Sequence, residues 1–107
     1  MLLAEAEDPQ AAQQLEQDRR IFSGLQQGKI DRALLNSDAD AYFTSQVLQD
    51  AAASLKPLGA PESFRQTSVE LRGGMTYRHF QIEFKGKSLH LSTFTTVDGK
   101  LAQYLIQ

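Results

Sequence analysis

Hydrophobic residues change their spacing near residue 60 of this 107-residue chain. Before that point they recur at helical intervals. After it they alternate, and glycines or turn residues interrupt the alternation three times. Such a chain builds helices first and an antiparallel meander second, and one face of the meander needs a helical cover. The pattern predicts a two-layer α+β domain with a cavity between its layers. It says nothing of chemistry.

In the first half, Asp8-Pro9 suits a helix start, with Asp as cap and Pro in the first turn. Ala11, Leu15, Phe22 and Leu25 then form one stripe with Ile21 at its edge. Gln13, Gln14, Gln17, Asp18 and Arg19 take the wet side, and Gly28 is a natural stop. The first helix is therefore expected over 9–27. Asp31 can cap a short second helix carrying Ala33, Leu34 and Leu35. Asn36-Ser37-Asp38 reads as a turn, and Tyr42 and Phe43 as an aromatic anchor. Thr44 or Ser45 caps a third helix that Lys56-Pro57 ends.

From Ser63 onward, reversals at Gly73-Gly74, Lys85-Gly86-Lys87-Ser88 and Val97-Asp98-Gly99 define four strands over about 63–72, 75–85, 88–96 and 100–106. Pairing Arg72 with Met75, Lys85 with Ser88 and Thr96 with Lys100 sorts the side chains into two faces. Val69, Leu71, Phe80, Ile82, Phe84, Leu89, Leu91, Leu101 and Leu105 share the face assigned to the helices. Thr67, Thr76, Arg78, Thr93, Thr95 and Gln103 are the polar members of that face. The other face carries Phe64, Ser68, Glu70, Tyr77, His79, Gln81, Glu83, His90, Ser92, Phe94, Tyr104 and Ile106.

Composition narrows the function classes. The net charge is −2 and no basic stripe runs along the chain, which argues against nucleic acid. Lys85 and Lys87 flank Gly86 as a solvated turn. The chain has no cysteine, so disulfides, thiolate chemistry and Cys-based zinc sites are excluded. No apolar run approaches the ~18 residues of a membrane span. Residues 1–8 lack the basic start and apolar core of an intact signal peptide and read as a disordered or vector-derived lead, with 9–107 as a single domain.

No catalytic constellation stands out. His79 and His90 share the outer face, His90 across from Glu83 and His79 across from Phe94. That register separates the two imidazoles by roughly 13 Å, too far for one metal ion. The His90–Glu83 pair reads as a surface contact or a pH-sensitive interface pair. Ser92 lacks a third group, and no Gly-x-Ser-x-Gly elbow occurs. Arg78 can clamp an anionic ligand, or it can lie at the sheet rim with its head in water. Tyr77, Phe94, Tyr104 and Ile106 form an outer patch of the kind that marks interfaces.

The segments RRIFSGLQQGKIDRALL, YFTSQVLQDAAASLKPLG and TFTTVDGKLAQYLI together resemble a small NTF2-like domain, a cystatin-like α+β cone with helices over a bent four-stranded meander. The resemblance spans about residues 15–106. FRQTSVELRGGMTYRHFQIEF with the preceding LKPLGAPESF also resembles small domains appended to secreted or envelope-associated bacterial serine β-lactamase-like and peptidase proteins. It implies a secreted or periplasmic setting. Enzymes of the NTF2-like group, ketosteroid isomerases and limonene-epoxide hydrolases, need carboxylates pointing into the pocket. Here the strands supply none; Asp98 sits in a turn, and Asp38 or Asp40 alone could approach the mouth.

The expectation is a non-catalytic NTF2-like accessory domain of a larger hydrolase, without metal or cofactor. It would dock on that protein's catalytic domain or on a second copy through Tyr77, His79, Glu83, His90, Phe94 and Tyr104. The rival is a pocket for a small apolar or anionic molecule lined by Arg78, Thr93, Gln103 and Tyr42. A third reading is a diverged isomerase using Asp38 or Asp40.

Overall fold

A computed structural model describes residues 8–107; the expectation for residues 1–7 lies outside the described residues. Three α-helices, α1 (Ala11–Gln26), α2 (Ser37–Tyr42) and α3 (Ser45–Leu55), pack on one face of an antiparallel sheet. Its strands are β1 (Ser63–Arg72), β2 (Met75–Phe84), β3 (Lys87–Thr95) and β4 (Leu101–Ile106), in the order of the chain. The α+β layout is the one that the change of period predicts.

Local chemistry sets the helix ends. At the end of α1, Gly28 takes φ 76° while its N–H bonds to the Leu25 carbonyl and that of Lys29 to the Gly24 carbonyl. This left-handed cap needs glycine. The side chains of Asp31, Asn36 and Thr44 accept hydrogen bonds from the backbone N–H groups of Ala33, Ala39 and Val47. Asp31 thus caps a 3₁₀ turn (Arg32–Leu34), and Thr44 caps α3. Asn36-Ser37-Asp38 departs from the expected turn: Asn36 caps, and Ser37 begins α2. Lys56-Pro57 prolongs α3 by a 3₁₀ turn (Lys56–Leu58). Asp8 does not cap α1, because its carboxylate is drawn to Arg78 and Gln66.

The faces of the sheet depart from simple alternation at two β-bulges. Thr67 is the extra residue in β1, and Ala102 is the extra residue in β4. Each bulge shifts the side-chain parity of the segment beyond it. Phe64, Tyr104 and Ile106 therefore turn inward, whereas Thr67, Gln103 and Leu105 leave the helical face. Leu71 keeps its inward parity but extends beyond the helices and is 77% exposed. The β2–β3 hairpin also slips. Phe84 pairs with Lys87 and Ile82 with Leu89, so the loop is Lys85-Gly86. This slip preserves parity, and Phe80, Ile82 and Leu91 stay fully buried.

Phe22 of α1 is the hub of the interlayer. Its ring lies 6.1 Å edge-on from Phe64 and 5.9 Å from Phe84, and Phe64 in turn lies 5.8 Å from Phe80. Leu25, Leu35, Ala39, Phe43, Leu55 and Leu101 complete the core. Each large apolar side chain buried here is worth about 1.5–3 kcal/mol. Asn36 N–H bonds to the Leu101 carbonyl, and Leu35 bridges to Leu101, tying the helical layer to the start of β4.

One polar clasp joins α1 to the end of α3. The buried Gln26 amide donates to the carbonyls of Leu55 at 2.9 Å and Gly59 at 2.8 Å. Gln26→Leu strips both carbonyls of their donor and is expected to cost about 1–3 kcal/mol. Leu71→Ser, at a position the alternation pattern assigns to the core, is expected to cost under about 0.5 kcal/mol. Urea denaturation of the two variants checks both. A large loss for Leu71→Ser would instead place Leu71 beneath the helices.

Candidate functional site

Two groups of polar and aromatic side chains stand apart from the apolar core, one inside the interlayer and one on the bare face of the sheet. The inner group forms where α1 crosses the sheet. Asp18, placed on the wet side by its chemistry, is fully buried, as is most of Gln14. Spacing carries the signal that residue type obscures: Leu15, Asp18, Phe22 and Leu25 follow one helical stripe. Tyr104, brought inward by the β4 bulge, donates its hydroxyl to the Asp18 backbone carbonyl at 2.7 Å.

Arg78 corrects the rim placement, since it is 3% exposed. Its Nη2 donates to Asp8 Oδ1 at 2.7 Å, and the Gln66 amide donates to the other Asp8 oxygen at 3.1 Å. Both Asp18 carboxylate oxygens, Arg78 Nε and Thr95 Oγ1 lack a partner among the described residues. Burial pushes the Asp18 carboxyl up to about 7, while the Arg78 guanidinium pulls it the other way. Burial, and secondarily Asp18, holds the Tyr104 phenol well above its ordinary value. A neutral, protonated Asp18 is the state the interior tolerates near and below neutrality.

The expected pocket residues do not converge on one cavity. Arg78 and Thr93 pair across β2 and β3 and are buried. Gln103 pairs with Phe94 on the outer face, and Tyr42 is 57% exposed on α2. Tyr42 and Gln103 line a groove of about 280 Å³ beside β4. Arg78 lines a separate notch of about 300 Å³ with Asp8, Pro9, Gln10 and Thr76. Asp8 already neutralises its guanidinium there. Asp38 and Asp40 are exposed, and Asp40 pairs with Arg32 at 2.7 Å.

The outer face gathers most of the interface residues. Tyr77 and Phe94 stack at 4.3 Å, Tyr77 lies parallel to His79 at 6.4 Å, and Arg72 sits over the Tyr77 ring at 5.2 Å. Tyr104 is the exception, being buried. The hairpin slip overturns the histidine geometry. His79 now opposes Ser92, and His90 opposes Gln81, not Glu83. His79 Nδ1 and His90 Nε2 come within 3.2 Å, and Ser92 Oγ lies 3.4 Å and 3.3 Å from them. Glu83 turns instead to the Gln81 amide at 2.9 Å.

This trio places a hydroxyl beside an imidazole but does not make a hydrolytic site. Ser92 lies on β3, an inner strand whose backbone pairs with β2 and β4, so its N–H groups are engaged in the ladder and offer no oxyanion donors. No carboxylate hydrogen-bonds either imidazole among the described residues. No described helix is long and apolar enough to cross a membrane. No family model matches the chain, and neither curated proteins nor solved structures yield a match.

The buried Asp18 gives a signed pH dependence. The unfolded carboxyl ionises near 3.8, whereas the folded one keeps its proton up to about 7. The folded state therefore binds more protons between those values, and stability falls as pH rises through them. The full change is on the order of 4 kcal/mol. Asp18→Asn is expected to flatten this slope, measured as denaturant midpoints from pH 4 to 8. An unchanged slope in the variant would remove Asp18 as its source.

Proposed function

We propose that this chain is a non-catalytic NTF2-like interaction domain that pairs the bare face of its sheet with that of a second copy. The stacked Tyr77–Phe94 pair on a face no helix covers carries this reading. Aromatic side chains held rigid at a surface lose little freedom on binding and are favoured interface anchors. The dimensions also suit it. Four strands about 4.8 Å apart and roughly eight residues long present about 500 Å² in projection. With side-chain relief this approaches the ~800 Å² that each partner contributes to a standard interface.

Charge is compatible with self-pairing. Glu70 and Arg72 lie at one end of the face, and Arg65 and Glu83 at the other, so each end carries both signs. The interlayer argues against a ligand pocket as the working site, because Phe22, Leu25, Phe80, Ile82, Leu91 and Leu101 fill it. The broader setting, an accessory module of a secreted bacterial hydrolase, rests on the sequence resemblance alone.

Sedimentation equilibrium tests the reading. The wild-type chain is expected at twice its monomer mass. Phe94→Lys, an outer-face change with no core partner, is expected to weaken the dimer at least about tenfold, or about 1.4 kcal/mol, with an unchanged far-ultraviolet circular dichroism spectrum. A monomeric wild type, or a dimer indifferent to Phe94→Lys, would refute the pairing.

A further inference from the structure

The geometry points to a transition-metal site of the Zn²⁺ class formed by His79 Nδ1, His90 Nε2 and Ser92 Oγ. The three atoms stand 3.2, 3.3 and 3.4 Å apart, close to an equilateral triangle. A tetrahedral ion with ligand bonds of about 2.0–2.1 Å requires neighbouring donors about 3.3–3.4 Å apart. The trio thus has the spacing of one face of such a tetrahedron. An ion roughly 0.8 Å above its plane reaches all three atoms at bonding distance.

The rings agree with this arrangement. Their centroids lie 5.2 Å apart with planes inclined by 32°. Two imidazoles whose lone pairs converge on one tetrahedral ion place their centroids about 5.1 Å apart. Stacked rings would be closer, and a linear N–H···N contact at the same nitrogen spacing would hold them slightly farther. Two imidazoles suit zinc or its borderline neighbours and not calcium or magnesium, and the neutral Ser92 hydroxyl is the weaker third donor.

The setting leaves the ion a route in and room for a fourth ligand. His90 is exposed, and His79 and Ser92 are half-buried on a face with no helix over it. The strands supply rigidity, since His79 and Ser92 are directly paired across the β2–β3 ladder and His90 lies one outward position along β3. Tyr77 lies parallel to the His79 ring, with centroids 6.4 Å apart. Among the described residues no three His, Cys, Asp or Glu side chains cluster, so the third donor is the serine hydroxyl and the fourth position is open to water. A single chain supplies all three donors, and the ion enters while this face is uncovered, so uptake is expected to compete with the proposed self-pairing and is followed at dilutions that leave the chain monomeric.

Titration of the intact chain with Zn²⁺, followed by calorimetry and by the imidazole C–H resonances, tests it. One ion per chain is expected, with shifts of both His79 and His90. His79→Gln and His90→Gln are each expected to weaken binding by about tenfold or more, and Ser92→Ala to weaken it several-fold. Asp38→Asn, an exposed change on α2 at the helical side of the sheet, is expected to bind as wild type. Co²⁺ in place of Zn²⁺ is expected to give the intense visible bands of a tetrahedral centre. Failure to bind Zn²⁺, or uptake unchanged in the His79→Gln, His90→Gln double variant, would overturn the assignment. The wild-type resonances decide the matter even if a variant folds poorly, because an ion bound elsewhere leaves both imidazoles unshifted.

Discussion

Two extra residues, Thr67 in β1 and Ala102 in β4, decide what the first helix rests on. Each bulge reverses the parity of part of an edge strand, and each delivers one aromatic residue to the interior. Phe64 arrives against Phe22 from one side of the sheet, and Tyr104 reaches the Asp18 carbonyl from the other. With strict alternation both rings would face outward, and Arg65 and Gln103 would stand opposite Ile82 and Thr93 in their places. The Thr67 hydroxyl donates to the His79 carbonyl at 3.2 Å, which helps hold the β1 irregularity in place.

Much of this architecture is legible in the sequence because it rests on local chemistry. Glycine at a positive φ, Asp31 and Thr44 as helix caps, and alternating apolar strands need only neighbouring residues to be understood. The bulges are different. Neither Thr67 nor Ala102 carries a glycine or proline signal, and the reward for inserting them lies across the interlayer at Phe22 and Asp18. The histidine pair illustrates a second limit. The hydrophobic pattern detects a one-residue slip, which exchanges the faces, but not one that preserves parity. Gly86 fits a two-residue loop as its first or its second member, so both registers satisfy the pattern. The choice between them decides whether His79 meets His90.

Asp18 shows a third kind of concealment. Its position on the helix predicts burial, and its charge predicts exposure. Position wins because neighbouring Leu15, Phe22 and Leu25 cannot be buried without carrying the intervening turn inward. The cost is limited by protonation, and by the nearby Arg78, which Asp8 already engages. The interior at this end is therefore polar and only partly compensated: Asp8 engages Arg78 and Gln66, Tyr104 engages the Asp18 carbonyl, and the Asp18 carboxyl itself has no partner among the described residues.

The proposed pairing and the proposed ion site both lie on the bare face of the sheet rather than at its edges. β2 and β3 have ladder partners on both sides, so a ligand meeting their outer surface finds side chains and not free backbone. The β1 edge carries Arg65, Glu70 and Arg72 and is bent at Thr67, features that discourage the addition of another strand. The start of the β4 edge is occupied by Leu35 and Asn36. What remains is the outer surface of β2 and β3, where Tyr77 and Phe94 supply apolar area beside the imidazoles and hydroxyl of His79, His90 and Ser92. A second sheet of the same shape can meet the aromatic pair, and a small cation can meet the three donors. Both events use side chains that alternate along β2 with Arg78 and Phe80, so the strand that anchors the core also sets the spacing of the surface.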